Sequence, residues 1–221
     1  MYKLIFSILA LGFLHACVSV NADEGQRFPY TSEKLDSFDT GDAESVQINV
    51  AVGEIEIIGT DSDTINAKIE LSCKKVNAKC ERLREKLAWR VDQNNHQITL
   101  HLDPSGKTTY NNVNVHILLE VPKNKELDLK VNVGDIDVKN IDACINAHVD
   151  IGKLSVEAKK DIISDISLKS DVGETNLTVI DSKIRESRKS LVGSSSKWSG
   201  SGSCDSKMTA DIGEVSVTLV E

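Results

Sequence analysis

A strand pattern centred on glycine, repeated along the chain, constrains the fold more than any other feature of the sequence. Each repeat has an apolar residue, the glycine, a polar residue, and then alternating apolar and polar residues. The alternation is typical of a β-strand with one buried face, and the glycine is expected at a bend or bulge where a side chain would clash. The pattern occurs in Val50–Ile57, Val131–Val138, Val149–Val156, Ser170–Leu177 and Ala210–Val217.

The glycines of these repeats recur at nearly constant spacing. After Gly53 they stand at positions 134, 152, 173, 193 and 213, with intervals of 18, 21, 20 and 20 residues. A sixth segment, Ser190–Lys197, keeps only the first half of the pattern but stays in phase, so we expect a loosely formed coil there. A period of about 20 residues is typical of solenoids, in which each coil buries its apolar face against its neighbours.

Two apolar columns are expected to lie in the interior of this stack. The residue before the glycine is aliphatic in all six segments, and the fourth residue after it is aliphatic in five. Stacking of the coils would bring each set into one line. The first column is Val52, Val133, Ile151, Val172, Val192 and Ile212, and the second is Ile57, Val138, Val156, Leu177 and Val217.

The repeats therefore predict an all-β fold, a β-solenoid or β-helix-like stack of coils of about 20 residues, with one short helix. Residues 46–221 would form a single β-repeat domain, of which 131–221 are the most regular coils. Asn77–Leu87 is the helix candidate, because Asn77 is a favourable N-cap and the apolar residues that follow have helical spacing. The polar segment 23–45 is expected to be irregular.

The first 22 residues have the features of a signal peptide. Lys3 supplies a positive charge, and the apolar run Leu4–Leu14 has the length of a signal-peptide core but is too short to span a bilayer. A V-x-A site predicts cleavage after Ala22. A competing interpretation is that Cys17 ends a lipobox, in which case it would be lipidated and anchor the protein. In both cases we expect an exported protein in the periplasm, the outer envelope or the extracellular space.

The net charge argues against nucleic acid as a partner. Removal of the first 22 residues leaves 25 Lys and Arg against 34 Asp and Glu, a net charge of −9. Nucleic acids and anionic membrane surfaces both require basic patches, which an acidic domain of this kind lacks. The expected partner is therefore a protein or a glycan at the envelope.

Four cysteines follow the predicted cleavage site, and an oxidising compartment favours disulfides between them. Cys73 and Cys80 are close in sequence and are predicted to close a small loop. Cys144 and Cys204 occupy nearly the same coil position about three coils apart, or ~14 Å, whereas the Cα atoms of a disulfide lie within ~7 Å. We therefore expect no bridge between Cys144 and Cys204, unless the serine-rich segment before Cys204 is looped out of the stack.

An acidic column lies two residues before the glycines. One hypothesis is that it binds Ca²⁺ through oxygen ligands. The alternative is that these side chains cap local backbone N–H groups before the bend. The spacing lacks the dense Asp-Gly alternation of calcium-binding coils, so no metal and no cofactor is expected. The column consists of Asn132, Asp150, Asp171 and Asp211.

The chain resembles the bacterial "putative adhesin" family of β-strand repeats, a domain of unknown function of the 4097 type. The resemblance spans roughly residues 40–221 and rests on VGEIEIIGTDSDTINAKIEL, on VHILLEVPKNKELDLKVNVGDIDVKNI and on the glycine repeats after them, with Val121–Val138 its most specific part. It implies a β-solenoid-like fold, an envelope or extracellular location and no catalytic residues. The sequence departs from the family pattern after Gly193, where Ser195 and Lys197 replace inward apolar residues.

The function predicted from the sequence is that of a non-enzymatic exported envelope protein, which presents a β-solenoid surface for adhesion or for interaction with a protein or glycan. One alternative is a periplasmic structural or signalling accessory protein, which lipidation of Cys17 would favour. Another is a carbohydrate-active enzyme on a β-helix, since fold alone does not decide function. The sequence contains no nucleophile elbow, paired-carboxylate signature or HExxH motif, so no catalytic residue is expected.

Overall fold

Strands that bend at a glycine are the main building unit of the fold. The computed structural model describes residues 30–75, 77–94, 96–103, 112–180, 187–189 and 192–221. These residues contain thirteen strands and one helix. They are β1 (Tyr30–Asp39), β2 (Ser45–Val52), β3 (Glu54–Thr60), β4 (Thr64–Cys73), α1 (Ala78–Lys86), β5 (Arg90–Gln93), β6 (Gln97–Leu102), β7 (Val113–Pro122), β8 (Glu126–Ile141), β9 (Ile145–Lys159), β10 (Ile163–Val179), β11 (Ser187–Lys189), β12 (Ser194–Ser199) and β13 (Cys204–Val220).

The predicted signal peptide lies outside the described residues, as do its cleavage after Ala22 and the alternative lipidation of Cys17. Within the described ranges, no helix has both the length and the apolar character needed to cross a membrane. The predictions about export and anchoring therefore stay predictions.

Each long strand turns back on itself at its glycine. β8 has 16 residues, yet it lies parallel and next to β9, to which only three residues connect it. The four steps from Ile141 to Ile145 span at most ~14 Å, so the end of β8 must lie near the start of β9, and β8 must double back at Gly134. β9, β10 and β13 have the same form, and β2 and β3 together repeat it around Gly53.

The bends divide the structure into two sheets that enclose the core. The strand segments before the glycines form one sheet, which β2, β6 and β5 extend by pairing. The segments after the glycines form the other sheet, which β3, β7, β4 and β1 extend. Aliphatic side chains of both sheets fill the space between them, and this burial is the main stabilising contribution to the fold. The second predicted column is buried as expected, at Ile57, Val138, Val156, Leu177 and Val217.

The order of the coils in space differs from their order in the sequence. β13 lies between β9 and β10 and pairs in parallel with both. From one end of the stack to the other, the glycines at the bends are therefore Gly53, Gly134, Gly152, Gly213 and Gly173.

The prediction that Ser190–Lys197 forms a coil in phase with its neighbours is wrong. Its described residues lead into β12, which runs antiparallel along the outer edge of β10. The buried side chains of this segment are Ser194 and Ser196. They bond to the carbonyl of Gly173 and the hydroxyl of Thr175, respectively, at 3.2 and 2.9 Å. A polar inner face of this kind fits the edge of the stack but cannot replace an apolar coil inside it.

The insertion of β13 also corrects the prediction about the cysteines. Cys144 and Cys204 form a disulfide, with their Cα atoms 5.1 Å apart. They would lie about three coils apart if the coils stacked in chain order, whereas in the structure their coils are direct neighbours. The serine-rich segment lies at the edge of the stack and does not form a coil between these two. The exception stated for this disulfide therefore applies. Cys73 and Cys80 form a second disulfide, with a Cα–Cα distance of 6.3 Å.

The N-terminal part of the chain is more regular than expected. Residues 30–39, within the segment predicted to be irregular, form β1, which pairs antiparallel with β4 along its whole length. This segment has no apolar alternation, because most of its side chains face water at the edge of the sheet. The helix prediction is confirmed, since α1 begins after Asn77, whose side chain accepts hydrogen bonds from the N–H groups of Lys79 and Cys80.

Candidate functional site

The aliphatic column before the glycines lies on the outer side of the bends. Its four central members have between 43% and 49% of their surface exposed, and Val192 has 68% exposed. The prediction that this column is interior is therefore wrong, although its members do lie side by side across the strands. We call it the aliphatic ridge, which consists, in spatial order, of Val52, Val133, Ile151, Ile212, Val172 and Val192.

Contacts between the glycines explain why the ridge faces outward. A Cβ atom on Gly152 would overlap the backbone carbonyl of Gly134, and one on Gly213 would overlap that of Gly152. The φ angles of Gly152 and Gly213 are +147° and +144°, values that residues with a side chain rarely adopt. The glycine backbones thus fill the inner side of the bend, and the side chain before each glycine is left on the outer side.

The alternation of buried and exposed residues changes phase at the glycine, and this change corresponds to the bend. In coil β9, Val149 and Leu154 are buried while Ile151 between them is exposed. Side chains on one face of a straight strand are an even number of residues apart, so a five-residue step between buried positions requires a bend. The same five-residue step is visible in the sequence. It could have predicted that the column before the glycine and the column after it lie on different faces.

A row of polar side chains, mostly acidic, runs beside the ridge. Register places its members next to one another across four strands. Like charges on neighbouring strands repel, and two nearby side chains contact the carboxylates of the row. The Nζ of Lys169 lies 2.5 Å from Asp171, and Nε2 of His148 lies 3.0 Å from the carboxylate of Asp150. We call this the acidic row, which consists, in spatial order, of Asn132, Asp150, Asp211 and Asp171.

The electrostatics of the acidic row act on the lysine beside it. The hydrogen bond to Asp171 is the largest cause that raises the pKa of Lys169 above its ordinary value, and the negative charge of Asp211 adds to it. Lys169 therefore keeps its positive charge at neutral pH. The row as a whole remains negative, because its three carboxylates outnumber the single charge of this lysine.

One part of the acidic row brings metal-ligating groups together. One ligand atom each from His148, Asp150 and Asp211 lies within 4.8 Å of the others. Nδ1 of His148 lies 2.8 Å from Oγ1 of Thr209, which leaves Nε2 on the side of Asp150. The hypothesis that the column Asn132, Asp150, Asp171 and Asp211 binds Ca²⁺ stays a prediction. His148 is not part of the repeat pattern, because no other repeat has a histidine at this position.

A second charged row lies on the other side of the ridge, at the residue after each glycine. Lys153 is the single cation among its members, and its Nζ lies 3.4 Å from a carboxylate oxygen of Glu214. Its backbone N–H also donates to Asp135 at 2.9 Å. The ridge is thus an apolar line between two rows that are mostly acidic. We call this the second acidic row, which consists, in spatial order, of Glu54, Asp135, Lys153, Glu214 and Glu174.

Two solved structures match this chain over 86% of its length. A "putative cell adhesion protein" from Clostridium sporogenes has a TM-score of 0.53 at 14% identity, over 86% of this chain and 100% of that chain. A "putative adhesin" from Bacteroides fragilis has a TM-score of 0.28 at 11% identity, over 86% of this chain and 97% of that chain. The first likeness is evidence for a common fold alone. No curated protein matches the sequence.

A family model gives the more direct assignment. The model described as Toastrack DUF4097 matches residues 43–220. The resemblance inferred from the glycine repeats is confirmed by this match, and so is the all-β, solenoid-like fold with one short helix. Since the match covers most of the sequence, the chain belongs to the Toastrack DUF4097 family.

Proposed function

We propose that this protein is exported and acts without catalysis in the cell envelope, where the aliphatic ridge contacts another macromolecule in adhesion or in binding a protein or glycan. The ridge is the observation that carries the proposal. Monomeric proteins rarely expose continuous apolar patches larger than a few hundred Å². A partner that covers the ridge would remove this surface from water, at a gain of roughly 25 cal/mol per Å².

Features outside the ridge support export. The basic residue Lys3 and the apolar run Leu4–Leu14 have the composition of a signal peptide. The two disulfides fit an oxidising compartment. The description of the Clostridium sporogenes protein as a cell adhesion protein is in line with the proposal, although it is a description of that protein.

Fractionation of bacteria that express the full chain tests the location. We expect the protein in the envelope or the medium, with an intact mass that begins at Asp23. A mass that begins at an acylated Cys17 would make it a lipid-anchored envelope protein. A cytoplasmic protein that retains Met1 and the residues after it would contradict the proposal.

A binding screen with a ridge variant tests the contact surface. The protein, purified as its host processes it, would be applied to arrays of glycans and of envelope and extracellular-matrix proteins, next to the variant Ile151→Ser/Ile212→Ser. We expect the variant to bind its target about tenfold less, because two central apolar contacts are lost. Leu35→Ser is the matched control, since Leu35 is 68% exposed but lies on β1, away from the ridge.

Two outcomes would contradict the proposed function. If the ridge variant binds every target as well as the unchanged protein does, the ridge is not the contact surface. If sugar products are released from a bound glycan, the protein is an enzyme. Thermal unfolding of both variants checks that they remain folded.

A further inference from the structure

We propose that the aliphatic ridge binds a basic amphipathic helix of another polypeptide, about 16 residues long, whose lysine and arginine side chains contact the two acidic rows. The inference rests on the proposed function, in which the ridge is a contact surface. It adds the chemical character and the shape of the partner.

The charge of the two acidic rows determines the sign of the charge expected on the partner. The acidic row and the second acidic row together contain seven carboxylates and one lysine. Lys169 offsets part of this charge at Asp171 and Lys153 offsets part of it at Glu214, so the two rows together remain negative. Interfaces bring together surfaces of opposite potential, so the margins of a partner centred on the ridge are basic.

The same charges exclude other occupants of the ridge. Two copies of this chain placed ridge to ridge would set acidic row against acidic row, and such like-charge contacts cost several kcal/mol. An anionic lipid surface would meet the same repulsion. A cationic polypeptide with apolar side chains fits both the apolar centre and the acidic margins.

Strand pairing excludes an extended partner that adds to the sheet. At the ridge, the strand of Ile151 is paired on both sides, by β8 and β13, and the strand of Ile212 is paired by β9 and β10. The backbone groups that strand addition requires are therefore already used at these central positions. A partner must contact the ridge through side chains alone.

The spacing of the ridge favours a helix that lies across the strands. Neighbouring strands are ~4.8 Å apart, and one turn of an α-helix rises 5.4 Å, so each turn places an apolar side chain near one ridge residue. The six positions from Val52 to Val192 cover about 24 Å, which corresponds to about 16 helical residues. Basic residues beside the apolar stripe of such a helix then lie over the acidic rows.

Titration with designed peptides tests the inference. The probe is a helix-forming leucine–lysine peptide of about 16 residues, compared with a leucine–glutamate peptide of the same pattern and with a lysine–serine peptide that has no apolar face. Calorimetry would be done with the protein as its host processes it. We expect the leucine–lysine peptide to bind at least about tenfold more tightly than either of the others.

Variants and salt locate the site. Ile151→Ser/Ile212→Ser should weaken binding of the leucine–lysine peptide about tenfold, as should Asp211→Asn/Glu214→Gln, whereas Leu35→Ser should leave it unchanged. An increase from about 50 mM to about 500 mM salt should also weaken it, because screening shortens the range of the charges.

Two results would overturn the inference. One is equal binding of the leucine–glutamate and leucine–lysine peptides, and the other is a loss on Leu35→Ser as large as that of the ridge variant. If the array screen finds a ridge-dependent target but the leucine–lysine peptide does not bind, the proposed function stands and the helical partner is wrong. If Ile151→Ser/Ile212→Ser changes binding in neither experiment, the proposed function and the helical partner are both wrong.

Discussion

The stacked half of this protein and its N-terminal half extend the same two sheets in different ways. In β8, β9, β13 and β10, one continuous strand passes through a bend and contributes to both sheets. In the N-terminal half, β1, β4 and β7 extend one sheet and β5 and β6 extend the other, as separate strands. Both halves bury apolar side chains, and the stacked half has in addition close backbone contacts between the glycines of neighbouring strands. Matched changes in the two halves should therefore have unequal effects.

The largest difference is expected between two glycines. In Gly213→Ala, the new Cβ would overlap the carbonyl of Gly152, and φ is already +144°. Backbone strain and overpacking together predict a loss of about 5 kcal/mol in the free energy of unfolding. Gly41→Ala is the control in the N-terminal half, because its φ is +50° but its nearest new contact is a side-chain nitrogen of Gln93 at 3.5 Å. There we expect a loss of about 1 kcal/mol.

Denaturant unfolding of the two glycine variants gives both free energies. Failure of Gly213→Ala to fold would agree with the expectation, and Gly41→Ala would then show that the substitution itself is tolerated. Equal losses in the free energy of unfolding would mean that the close approach of the glycine backbones does not make the stacked half more sensitive to substitution.

The two disulfides provide a second comparison. Cys144–Cys204 joins residues separated by 60 positions in the stacked half, and Cys73–Cys80 joins residues separated by 7 in the N-terminal half. A longer loop restricts the unfolded chain more, so removal of the first bridge should cost about 4 kcal/mol and removal of the second about 2.5 kcal/mol. The double serine variants would be compared by denaturant unfolding. A larger loss for Cys73→Ser/Cys80→Ser would contradict the argument.

The smallest effect is expected from two acidic residues. In the turn between β8 and β9, the hydrogen bond from Lys159 is the main cause that lowers the pKa of Asp142 below its ordinary value, and Lys123 adds to it. On β4, the hydrogen bond from Lys68 lowers the pKa of Glu70. A lowered folded-state pKa contributes stability above the ordinary carboxyl pKa, and this stability is lost as the pH falls through the folded-state value.

Asp142→Asn should therefore reduce the free energy of unfolding at pH 7 by at most ~1 kcal/mol, and the difference from the unchanged protein should vanish as the pH falls toward about 2. Glu70→Gln should have a smaller effect, because the side chain of Glu70 is more exposed to water than that of Asp142. Unfolding curves across this pH range measure both. A difference that grows in acid would show that the sign of the Asp142 contribution is wrong.

Local chemistry made much of the fold predictable. Asn77 is a favourable N-cap in any context, and the buried column from Ile57 to Val217 follows from two-residue alternation. The outward position of Ile151 was not predictable in the same way, because alternation records which residues share a face and not where a strand doubles back. It depends on a contact between Gly152 and Gly134, which belong to different repeats.

The order of the coils was also beyond the sequence pattern. The repeats around Gly173 and Gly213 are nearly equivalent in sequence, so either is compatible with a place beside β9. In the structure the later one lies beside β9, and the polar inner face of Ser194 and Ser196 lies at the edge, next to β10. Within the candidate site, the spacing of the repeats was enough to predict the acidic row of Asn132, Asp150, Asp211 and Asp171. The structure was needed to show that Asp211 lies between Asp150 and Asp171, and that His148 is hydrogen-bonded to Asp150.

The position of β13 has a consequence for biogenesis. A ribosome synthesises β9 and β10 first, yet these strands do not pair with each other and are bridged only when β13 has been made. Until then the nascent chain presents two long unpaired strand edges, which are templates for aggregation. A truncation before Cys204 removes the strand that covers both edges, so an unfinished chain exposes backbone groups that the finished chain hydrogen-bonds in its interior.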